Sequence, residues 1–245
     1  MLDLKNITLS YGDTPILRGV NLSVARGDVV SIIGPSGTGK TTLLRSINYL
    51  AKPSAGTIQL DQHHMDYQSP NKATIQAIRL RTAMVFQQFN VFKNMTVLEN
   101  VMDPLMVIQG KSKLQAREIA AQELERVGLG TKFDNYPSQL SGGQLQRTGI
   151  ARALAVRPDV ILFDEPTSSL DPELVGEVLK VIKDVTSSGI TSLLVTHEMQ
   201  FAKSVSNRIV FMDQGVVAAE GSPTEIFNAP ASPRLAQFLS TERAF

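Results

Sequence analysis

The sequence of 245 residues contains no cysteine, which excludes a disulfide framework and any thiol chemistry. It also lacks an apolar run that approaches the length of a membrane-spanning helix. Residues 1–5, MLDLK, have none of the long apolar core of a secretory signal peptide. These absences predict a soluble globular protein of the cytoplasm.

Neither sign of charge dominates, since 24 lysine and arginine residues face 23 aspartate and glutamate residues. There is therefore no basic field of the kind that binds nucleic acid, and no acidic tail. No internal repeat, coiled coil or low-complexity segment is present. With 42% hydrophobic and 19% charged residues, the chain has enough apolar surface to bury the core of one large domain or two small ones.

A glycine-rich stretch at residues 34–41, GPSGTGKT, fits the phosphate-binding pattern G-x-x-x-x-G-K-[S/T] at every fixed position. Its glycines permit backbone angles at which successive N–H groups converge on a phosphate. Lys40 is predicted to reach the β- and γ-phosphates of a nucleotide, and the Thr41 hydroxyl is predicted to bind Mg²⁺. The stretch follows a β-branched apolar run at 29–33 and precedes a helical pattern, which is the setting that the motif requires. These flanks argue against the alternative, an ordinary glycine-rich turn.

Strand-like and helical patterns alternate along the chain, which predicts a mostly parallel sheet covered by helices. Residues 95–157 are mostly helical and are predicted to be an insertion between strands of the core. Within this insertion, Gly128 is placed to end a helix. The polar stretch 61–75 is predicted to be a surface loop that leads into a helix at about 75–80.

Two carboxylates, Asp164 and Glu165, follow directly on the apolar run 160–163. The carboxyl end of a buried strand is where an open α/β sheet places its ligand chemistry. Asp164 suits the outer shell of Mg²⁺, and Glu165 is left to polarise an attacking water as general base. A solvated acidic turn is the alternative, and the phosphate-binding stretch earlier in the chain makes it the weaker one.

The segment 140–144, LSGGQ, is the most specific stretch of the sequence. Ser141 is able to cap a helix, and the two glycines after it expose the first amide groups of that helix, which creates a second anion site without a lysine. A nucleotide loop and a separate anion-binding helix start in one chain indicate that two subunits act on one nucleotide. The alternative is a plain Gly-Gly turn.

These three motifs resemble those of the nucleotide-binding subunit of an ATP-binding-cassette (ABC) transporter, and the resemblance extends over essentially the whole chain. Residues 34–41 match that family's Walker A motif, and residues 160–165 match its Walker B motif. Residues 140–144 match its signature motif. The order and spacing of the three motifs allow weaker matches to be read in register with them.

The weaker matches are short or single-residue features. Residues 168–171, SSLD, resemble the family's D-loop, with Ser169 where alanine is more usual. Gln87 fits the Q-loop, because it closes the strand before the helical insertion. His197 fits the switch histidine, and Tyr11 fits the aromatic residue that stacks on adenine.

The resemblance implies a fold of the α/β class: a P-loop NTPase (RecA-like) core with a mixed, mostly parallel sheet, an N-terminal antiparallel β part and an inserted helical subdomain. It implies a single ABC ATPase domain over residues 1–245. The core lobe would comprise about 1–94 and 158–245, and the helical subdomain about 95–157.

The resemblance also implies a mechanism in which two copies close head to tail around two ATP molecules, each held between one copy's Walker A motif and the other copy's signature motif. The implied catalytic residues are Glu165, His197 and Lys40. The implied Mg²⁺ ligands are Thr41, Gln87 and Asp164. The implied nucleotide-binding residues are Tyr11, Gly34, Pro35, Ser36, Gly37, Thr38, Gly39, Lys40, Thr41, Thr42, Gln87, Ser141, Gly142, Gly143, Gln144 and Asp171.

The implied partners are a second copy or a related ATPase subunit, a membrane-spanning permease and, through it, an extracytoplasmic solute-binding protein. Nucleic acid is not among them, and the implied location is the cytoplasmic face of the membrane. Residues 86–92 and 95–101 resemble the subfamily that imports polar amino acids. Leu145, where that subfamily commonly has glutamine, and Lys93-Asn94, where it frequently has Pro-His, depart from its pattern.

Two alternatives stay open at the level of sequence. One keeps the ATPase and changes the cargo to another solute, a lipoprotein or a division-linked substrate. The other is a soluble ABC ATPase that acts on DNA or ribosomes. The missing coiled coil, the single cassette and the near-neutral charge count against the second.

Overall fold

The computed structural model describes residues 1–242, so residues 243–245 of the predicted core lobe lie outside the description. Its strands are β1 (Leu2–Tyr11), β2 (Thr14–Val24), β3 (Val29–Ile33), β4 (Ala55–Leu60), β5 (His63–Asp66), β6 (Thr82–Val85), β7 (Val160–Asp164), β8 (Thr191–Val195), β9 (Arg208–Asp213) and β10 (Val216–Gly221). Its helices are α1 (Lys40–Ile47), α2 (Lys72–Arg81), α3 (Val97–Val107), α4 (Lys113–Arg126), α5 (Gly142–Ala155), α6 (Pro172–Ser187), α7 (Met199–Val205), α8 (Pro223–Asn228) and α9 (Pro233–Glu242), with a 3₁₀ turn at Pro137–Gln139.

The larger sheet has the strand order β10-β9-β3-β8-β7-β6. Its neighbouring strands are parallel except in the β9–β10 hairpin. Strands β3, β7 and β8 are buried along their whole length, as expected for parallel strands with both faces covered. Because these three strands are neighbours and run in one direction, the segments that follow them meet at one edge of the sheet.

The smaller sheet is antiparallel and has the order β2-β1-β4-β5. Leu2, Leu4, Ile7 and Leu9 of β1 are buried, while the other residues of the strand are more exposed. This alternation is typical of a sheet with one face on the core and the other in water. The smaller sheet packs on the larger one through a shared apolar cluster that includes Leu43 of α1 and Leu162 of β7.

The prediction of a surface loop over residues 61–75 is wrong at both ends of the stretch. Strand β5 pairs with β4 and places His64 opposite Gln59, and α2 begins at Lys72 with the Asn71 side chain as its N-cap. Met65 is the buried residue of β5. A short edge strand that buries one side chain shows no apolar alternation, so its pairing with β4 decides its conformation.

Helices α3, α4 and α5 lie between β6 and β7 in the chain. Each begins with a capping box, in which the N-cap side chain and the third helical residue bond to each other's backbone. The capping pairs are Thr96 with Glu99, Ser112 with Gln115 and Ser141 with Gln144. Helix α4 ends before Gly128, as predicted, and Gly128 has a φ of +75°. Apolar residues of these helices share one cluster with Phe163 of β7 and Val178 of α6, so the insertion packs on the larger sheet.

The predicted fold class is confirmed in its three parts. The larger sheet is mixed and mostly parallel, the N-terminal part is antiparallel, and a block of helices is inserted between two strands of the core. No helix within residues 1–242 combines the length and the apolarity that crossing a bilayer requires.

Candidate functional site

The loop between β3 and α1 is built around glycines. Gly34 has a φ of +145°, and a Cβ added there would collide with the carbonyl oxygen of Met212 in β9. At Gly39, with a φ of +95°, an added Cβ would lie 2.9 Å from Leu17 Cδ2 and 3.0 Å from the carbonyl oxygen of Ile16. Both the left-handed backbone and the close approach of neighbouring strands therefore require glycine at these positions.

A cavity of about 220 Å³ lies at this loop. The residues that line it are Ile16, Ser36, Gly37, Gly39, Lys40, Thr41, Thr42 and Glu165. Helix α1 begins at the cavity, and its N-cap Gly39 provides no side chain to occupy the first amide groups. Those amide groups and the helix dipole make the cavity suited to an anion.

Lys40 is 5% exposed, and its ammonium group lies within the loop. Lys40 Nζ donates to the carbonyl oxygens of Gly34 at 2.7 Å and of Pro35 at 2.9 Å. Thr38 Oγ1 donates to the same Pro35 oxygen at 2.9 Å. The loop is thus held in shape by its own side chains, with a cation at the wall of the cavity.

The Asp164 carboxylate is the most deeply buried charge of the site, with 1% of its side chain exposed. Its Oδ1 accepts a hydrogen bond from Thr41 Oγ1 at 2.6 Å. Its Oδ2 accepts from Arg45 Nε at 3.1 Å and lies 2.9 Å from Arg45 Nη2. A buried carboxylate needs such partners, because desolvation of an unpaired charge is strongly unfavourable.

Glu165, the next residue, adopts a left-handed backbone with a φ of +47°. This conformation is rare for residues other than glycine and costs on the order of 1 kcal/mol. It is held by hydrogen bonds from Glu165 N to the Val195 carbonyl oxygen at 2.9 Å and from Ser168 Oγ to the Glu165 carbonyl oxygen at 2.9 Å. The turn directs the Glu165 side chain to the cavity, whereas Asp164 stays inside the sheet edge.

His197, which follows β8, lies beside Glu165. An ionised carboxylate accepts but does not donate, so His197 Nε2 donates to Glu165 Oε1, at 3.1 Å. This hydrogen bond is the largest influence on the Glu165 carboxyl and lowers its pKa below the ordinary value of 4.5. Partial burial opposes the shift, and the charges of His197 and Lys40 and a bond to Ser168 add to it. Glu165 is therefore ionised at neutral pH.

Gln87 and Tyr11 lie further from this cluster. Gln87 follows β6 and lines a second cavity, of about 270 Å³, together with Arg45 and Gln88. Tyr11 ends β1 opposite Thr14 and is 59% exposed. Arg45 thus connects the surroundings of Gln87 to Asp164, and Tyr11 is largely open to solvent.

The remaining predicted site residues form a second group. Ser141 is the N-cap of α5, where its Oγ accepts from Gln144 N at 3.3 Å. A Cβ added at Gly142 would lie 3.2 Å from Leu170, and Asp171, the next residue, is the N-cap of α6. The structure therefore brings residues 141–144 next to Asp171, and none of them lines the cavity at the phosphate-binding loop.

Sequence reasoning missed two residues of the site, Ile16 and Arg45. Arg45 follows Thr41 by four positions on α1, and residues at that spacing share a helix face. The helical pattern was therefore sufficient to predict that Arg45 lies on the same side of α1 as Thr41. Ile16 lines the cavity from β2, and its place depends on the packing of the smaller sheet against the loop. No local pattern indicates that packing.

The chain is similar to known proteins over most of its length. The family model described as ABC transporter matches residues 17–168, more than half of the chain. The chain is similar to the L-cystine import ATP-binding protein TcyN of Bacillus subtilis, with 50% identity over 239 residues that cover 98% of this chain and 92% of that protein. It is also similar to the octopine permease ATP-binding protein P of Rhizobium radiobacter, with 49% identity over 246 residues that cover 97% and 94% of the two chains.

A solved structure agrees with these relatives. The dimeric structure of the ATP-binding cassette MJ0796, in a post-hydrolysis state bound to ADP and Pi, has a TM-score of 0.79 and 36% identity to this chain. The match covers 91% of this chain and 99% of the other. The similarity therefore extends over nearly the whole of both molecules. The chain therefore belongs to the ABC transporter family, as an ATP-binding subunit that hydrolyses ATP.

Proposed function

We propose that this chain hydrolyses ATP with Mg²⁺ as one of two paired ATPase subunits, and that the pair drives the import of a polar amino acid through a membrane-spanning partner. The separation of the site residues into two groups carries the two-copy part of this proposal. The cavity at residues 34–42 includes Glu165 in its lining but neither residues 141–144 nor Asp171. The start of α5 then completes the site of a second copy, and the dimeric state of the solved relative supports this arrangement.

Within one copy, each group has a role that follows from its position. The loop amides of residues 34–39 and the start of α1 bind the phosphates, and Lys40 exchanges its loop carbonyls for the β- and γ-phosphates. Tyr11 stacks on the adenine ring. Glu165 accepts a proton from the attacking water, and His197 orients the Glu165 carboxylate. The amide groups at the start of the partner's α5 stabilise the charge that develops at the γ-phosphate.

The oxygen atoms near Thr41 fit Mg²⁺. This ion prefers hard oxygen ligands and keeps several waters, and a hydroxyl and a carboxylate oxygen lie 2.6 Å apart at the start of α1. Thr41 would hold the ion directly, Asp164 would hold it through water, and Gln87 would add its amide oxygen from the neighbouring cavity. When bound, the ion neutralises charge on the phosphates.

The proposed cargo rests on the relatives and on the segment after Gln87. The L-cystine importer subunit and the octopine permease subunit both share about half of their residues with this chain over nearly their whole length. Their names support a polar amino acid or amino-acid derivative as cargo. Apart from Gln87, residues 86–92 and 95–101 are not assigned to nucleotide or Mg²⁺, and their motif resemblance supports the same subfamily.

The permease is proposed to dock on a groove between the larger sheet and the inserted helices. A cavity of about 580 Å³ lies there, lined by residues that include Phe92, Pro104 and Ile108. Phe92, Val107 and Ile108 are exposed, and clustered exposed apolar side chains mark protein interfaces. The groove lies at the proposed boundary between the core lobe (1–94 and 158–245) and the helical subdomain (95–157), and such docking places the chain at the cytoplasmic face of the membrane.

Ser141→Arg tests the two-copy site. We expect this variant to lose ATP-dependent dimerisation and ATP hydrolysis, because a bulky cation at the start of α5 blocks the γ-phosphate of the other copy. Nucleotide affinity of the monomer should stay within about twofold of the parent value, since Ser141 does not line the loop cavity. Size-exclusion chromatography with ATP, phosphate release and equilibrium binding of a fluorescent nucleotide measure the three properties.

Ser112→Arg is the matched control for this substitution. Ser112 caps α4 with the same capping box, so both variants lose about 1 kcal/mol of helix capping. Only the Ser141 variant should fail to dimerise. A Ser141→Arg monomer that no longer binds nucleotide would show that the signature helix serves the cavity of its own chain, and the two-copy site would be wrong.

His197→Ala should raise the pKa of the Glu165 carboxyl toward its ordinary value, because it removes the hydrogen bond that dominates the downward shift. The titration of ¹³C-carboxyl-labelled glutamate by NMR measures this, with Glu165→Gln assigning the signal. Glu225, whose pKa is lowered by its bonds to Ser222, serves as an internal reference that should not move. An unshifted Glu165 signal would contradict the contact with His197.

The same shift has a consequence for stability. The pKa of Glu165 is lower in the folded chain than in the unfolded chain, so its ionised form stabilises the fold above the unfolded pKa. This contribution is lost as the pH falls through the folded pKa. In His197→Ala, the loss of stability attributable to Glu165 should be smaller across that acid range.

A further inference from the structure

Arg45 has a contact pattern that the roles proposed above do not use. Two of its nitrogens, Nε at 3.1 Å and Nη2 at 2.9 Å, lie against one oxygen of the buried Asp164 carboxylate, Oδ2. The other oxygen, Oδ1, accepts from Thr41. Arg45 thus anchors Oδ2 through a charge-assisted contact, and the carboxylate is oriented because Arg45 holds one of its oxygens and Thr41 the other.

The position of Arg45 relates this pair to the proposed Mg²⁺ site. Arg45 and Thr41 lie four residues apart on α1, so they reach Asp164 from the same helix face. The Arg45 side chain is 42% exposed, and its open side lines the cavity of about 270 Å³ that Gln87 also lines. Arg45 is thus in contact with one proposed metal ligand and shares a cavity with another.

We propose that Arg45 is a positioning residue for the divalent cation. By holding Oδ2, it keeps Oδ1 of Asp164 directed at Thr41, so that the hydroxyl and the carboxylate present their oxygens to one point. Arg45 itself contacts neither nucleotide nor ion. The inference rests on the proposed Mg²⁺ site at Thr41 and Asp164. It states that Arg45 raises the affinity of the nucleotide-loaded chain for the ion.

A purely structural ion pair is the competing explanation, and the chain contains a second arginine–aspartate pair for comparison. Arg81 Nη1 lies 2.7 Å from Asp159 Oδ2, and Asp159 directly precedes β7, whereas Asp164 ends it. Removing Arg81 therefore breaks an arginine–aspartate pair at the end of β7 away from the cavity, where Asp159 keeps a longer contact of 3.8 Å to Arg26 Nη1. A positioning role predicts that only the loss of Arg45 weakens binding of the divalent cation, whereas a structural role predicts no such difference between the two pairs.

The experiment measures Mn²⁺, as a spectroscopic substitute for Mg²⁺, on the purified full chain loaded with ADP. Free Mn²⁺ is followed by electron paramagnetic resonance during a titration. Arg45→Met should weaken Mn²⁺ binding by about tenfold or more, the usual effect of losing a group that orients a metal ligand. ADP affinity in EDTA should stay within about threefold of the parent value, because Arg45 is absent from the lining of the phosphate cavity.

Two further variants sharpen the result. Arg45→Lys keeps the charge but offers one nitrogen in place of a planar fork, so its Mn²⁺ affinity should lie between those of the parent and Arg45→Met. Arg81→Met should bind Mn²⁺ as the parent does. Thermal unfolding of each variant confirms that it is folded.

The outcomes separate the two proposals. Parent-like Mn²⁺ affinity in Arg45→Met, or in Arg45→Lys, would overturn the positioning role, and the lysine variant decides alone if the methionine variant does not fold. An equal loss in Arg81→Met would also overturn it in favour of a structural role. Thr41→Ala and Asp164→Asn are the reference for the ion site, and unchanged Mn²⁺ affinity in both would mean that the site itself is elsewhere.

Discussion

Replacement of Glu165 by glutamine should lower the rate of ATP hydrolysis by about 100- to 10,000-fold, which is the range that a positioned general base contributes. Glutamine keeps the size of the side chain and an oxygen that accepts from His197 Nε2, now 3.1 Å from Oε1. The geometry of the site is therefore retained while the base is removed. Because the residues that bind the phosphates are untouched, ATP should still bind.

A Glu165→Gln chain that binds ATP without hydrolysing it should also differ from the parent in its oligomeric state. If each ATP is enclosed between two copies, Glu165→Gln should accumulate as an ATP-loaded dimer, whereas the parent chain returns to its open form after hydrolysis. Steady-state phosphate release and size-exclusion chromatography with ATP and Mg²⁺ measure both effects. The dimer peak should disappear in the double variant that carries both Glu165→Gln and Ser141→Arg.

Glu198→Gln is the control, because it makes the same chemical change in the residue after His197. Its backbone N–H caps the turn by donating to Thr196 Oγ1 at 3.0 Å, and the substitution leaves that bond in place. The rate of ATP hydrolysis of Glu198→Gln should stay within about twofold of the parent rate. Undiminished turnover in Glu165→Gln would remove Glu165 from the role of general base.

Lys40→Ala should weaken ATP binding by about 100-fold or more, because charge-assisted hydrogen bonds contribute about 1.5–3 kcal/mol each and Lys40 is assigned two phosphates. The ammonium group is already desolvated at 5% exposure and lies against the carbonyl oxygens of Gly34 and Pro35. Its exchange of partners on binding therefore requires little further desolvation. Equilibrium binding of ATP by calorimetry measures the loss.

Two comparisons guard this prediction. Lys180→Ala removes an exposed lysine from α6 and should change ATP affinity by no more than about twofold. Lys40→Ala also removes two hydrogen bonds within the loop. Thermal unfolding close to the parent temperature is therefore needed to show that the variant is folded. Parent-like ATP affinity in a folded Lys40→Ala chain would contradict the role assigned to the loop.

Local chemistry explains why much of the site was predictable. The left-handed backbone at Gly34 and Gly39 and the helix start at Lys40 need particular residue types at fixed spacing, so a short pattern carries the information. The same holds for Ser141, because a capping box leaves its signature three residues apart. Buried parallel strands are also predictable from the sequence, since residues 160–164 are apolar up to the aspartate that ends β7.

Other features have no local signal. Strand β5 buries Met65 and is otherwise polar, so its pairing with β4 came from the fold and not from its sequence. Ile16 enters the phosphate cavity because β2 packs on Gly39. The left-handed turn at Glu165 is set by a bond to Val195 on a neighbouring strand, which is distant in sequence.

By itself, the sequence determined the phosphate loop, the carboxylate pair and the helix-start motif, together with the class of fold that carries them. Each of these depends on contacts between residues a few positions apart, and the spacing of residue types along the chain predicts such contacts. The tertiary structure alone decided that Thr41 and Arg45 share the Asp164 carboxylate, that His197 bonds to Glu165, and that residues 141–144 stand apart from the cavity of their own chain. The reason is physical: the order of β3, β8 and β7 in the sheet brings together the ends of strands that are remote in the chain.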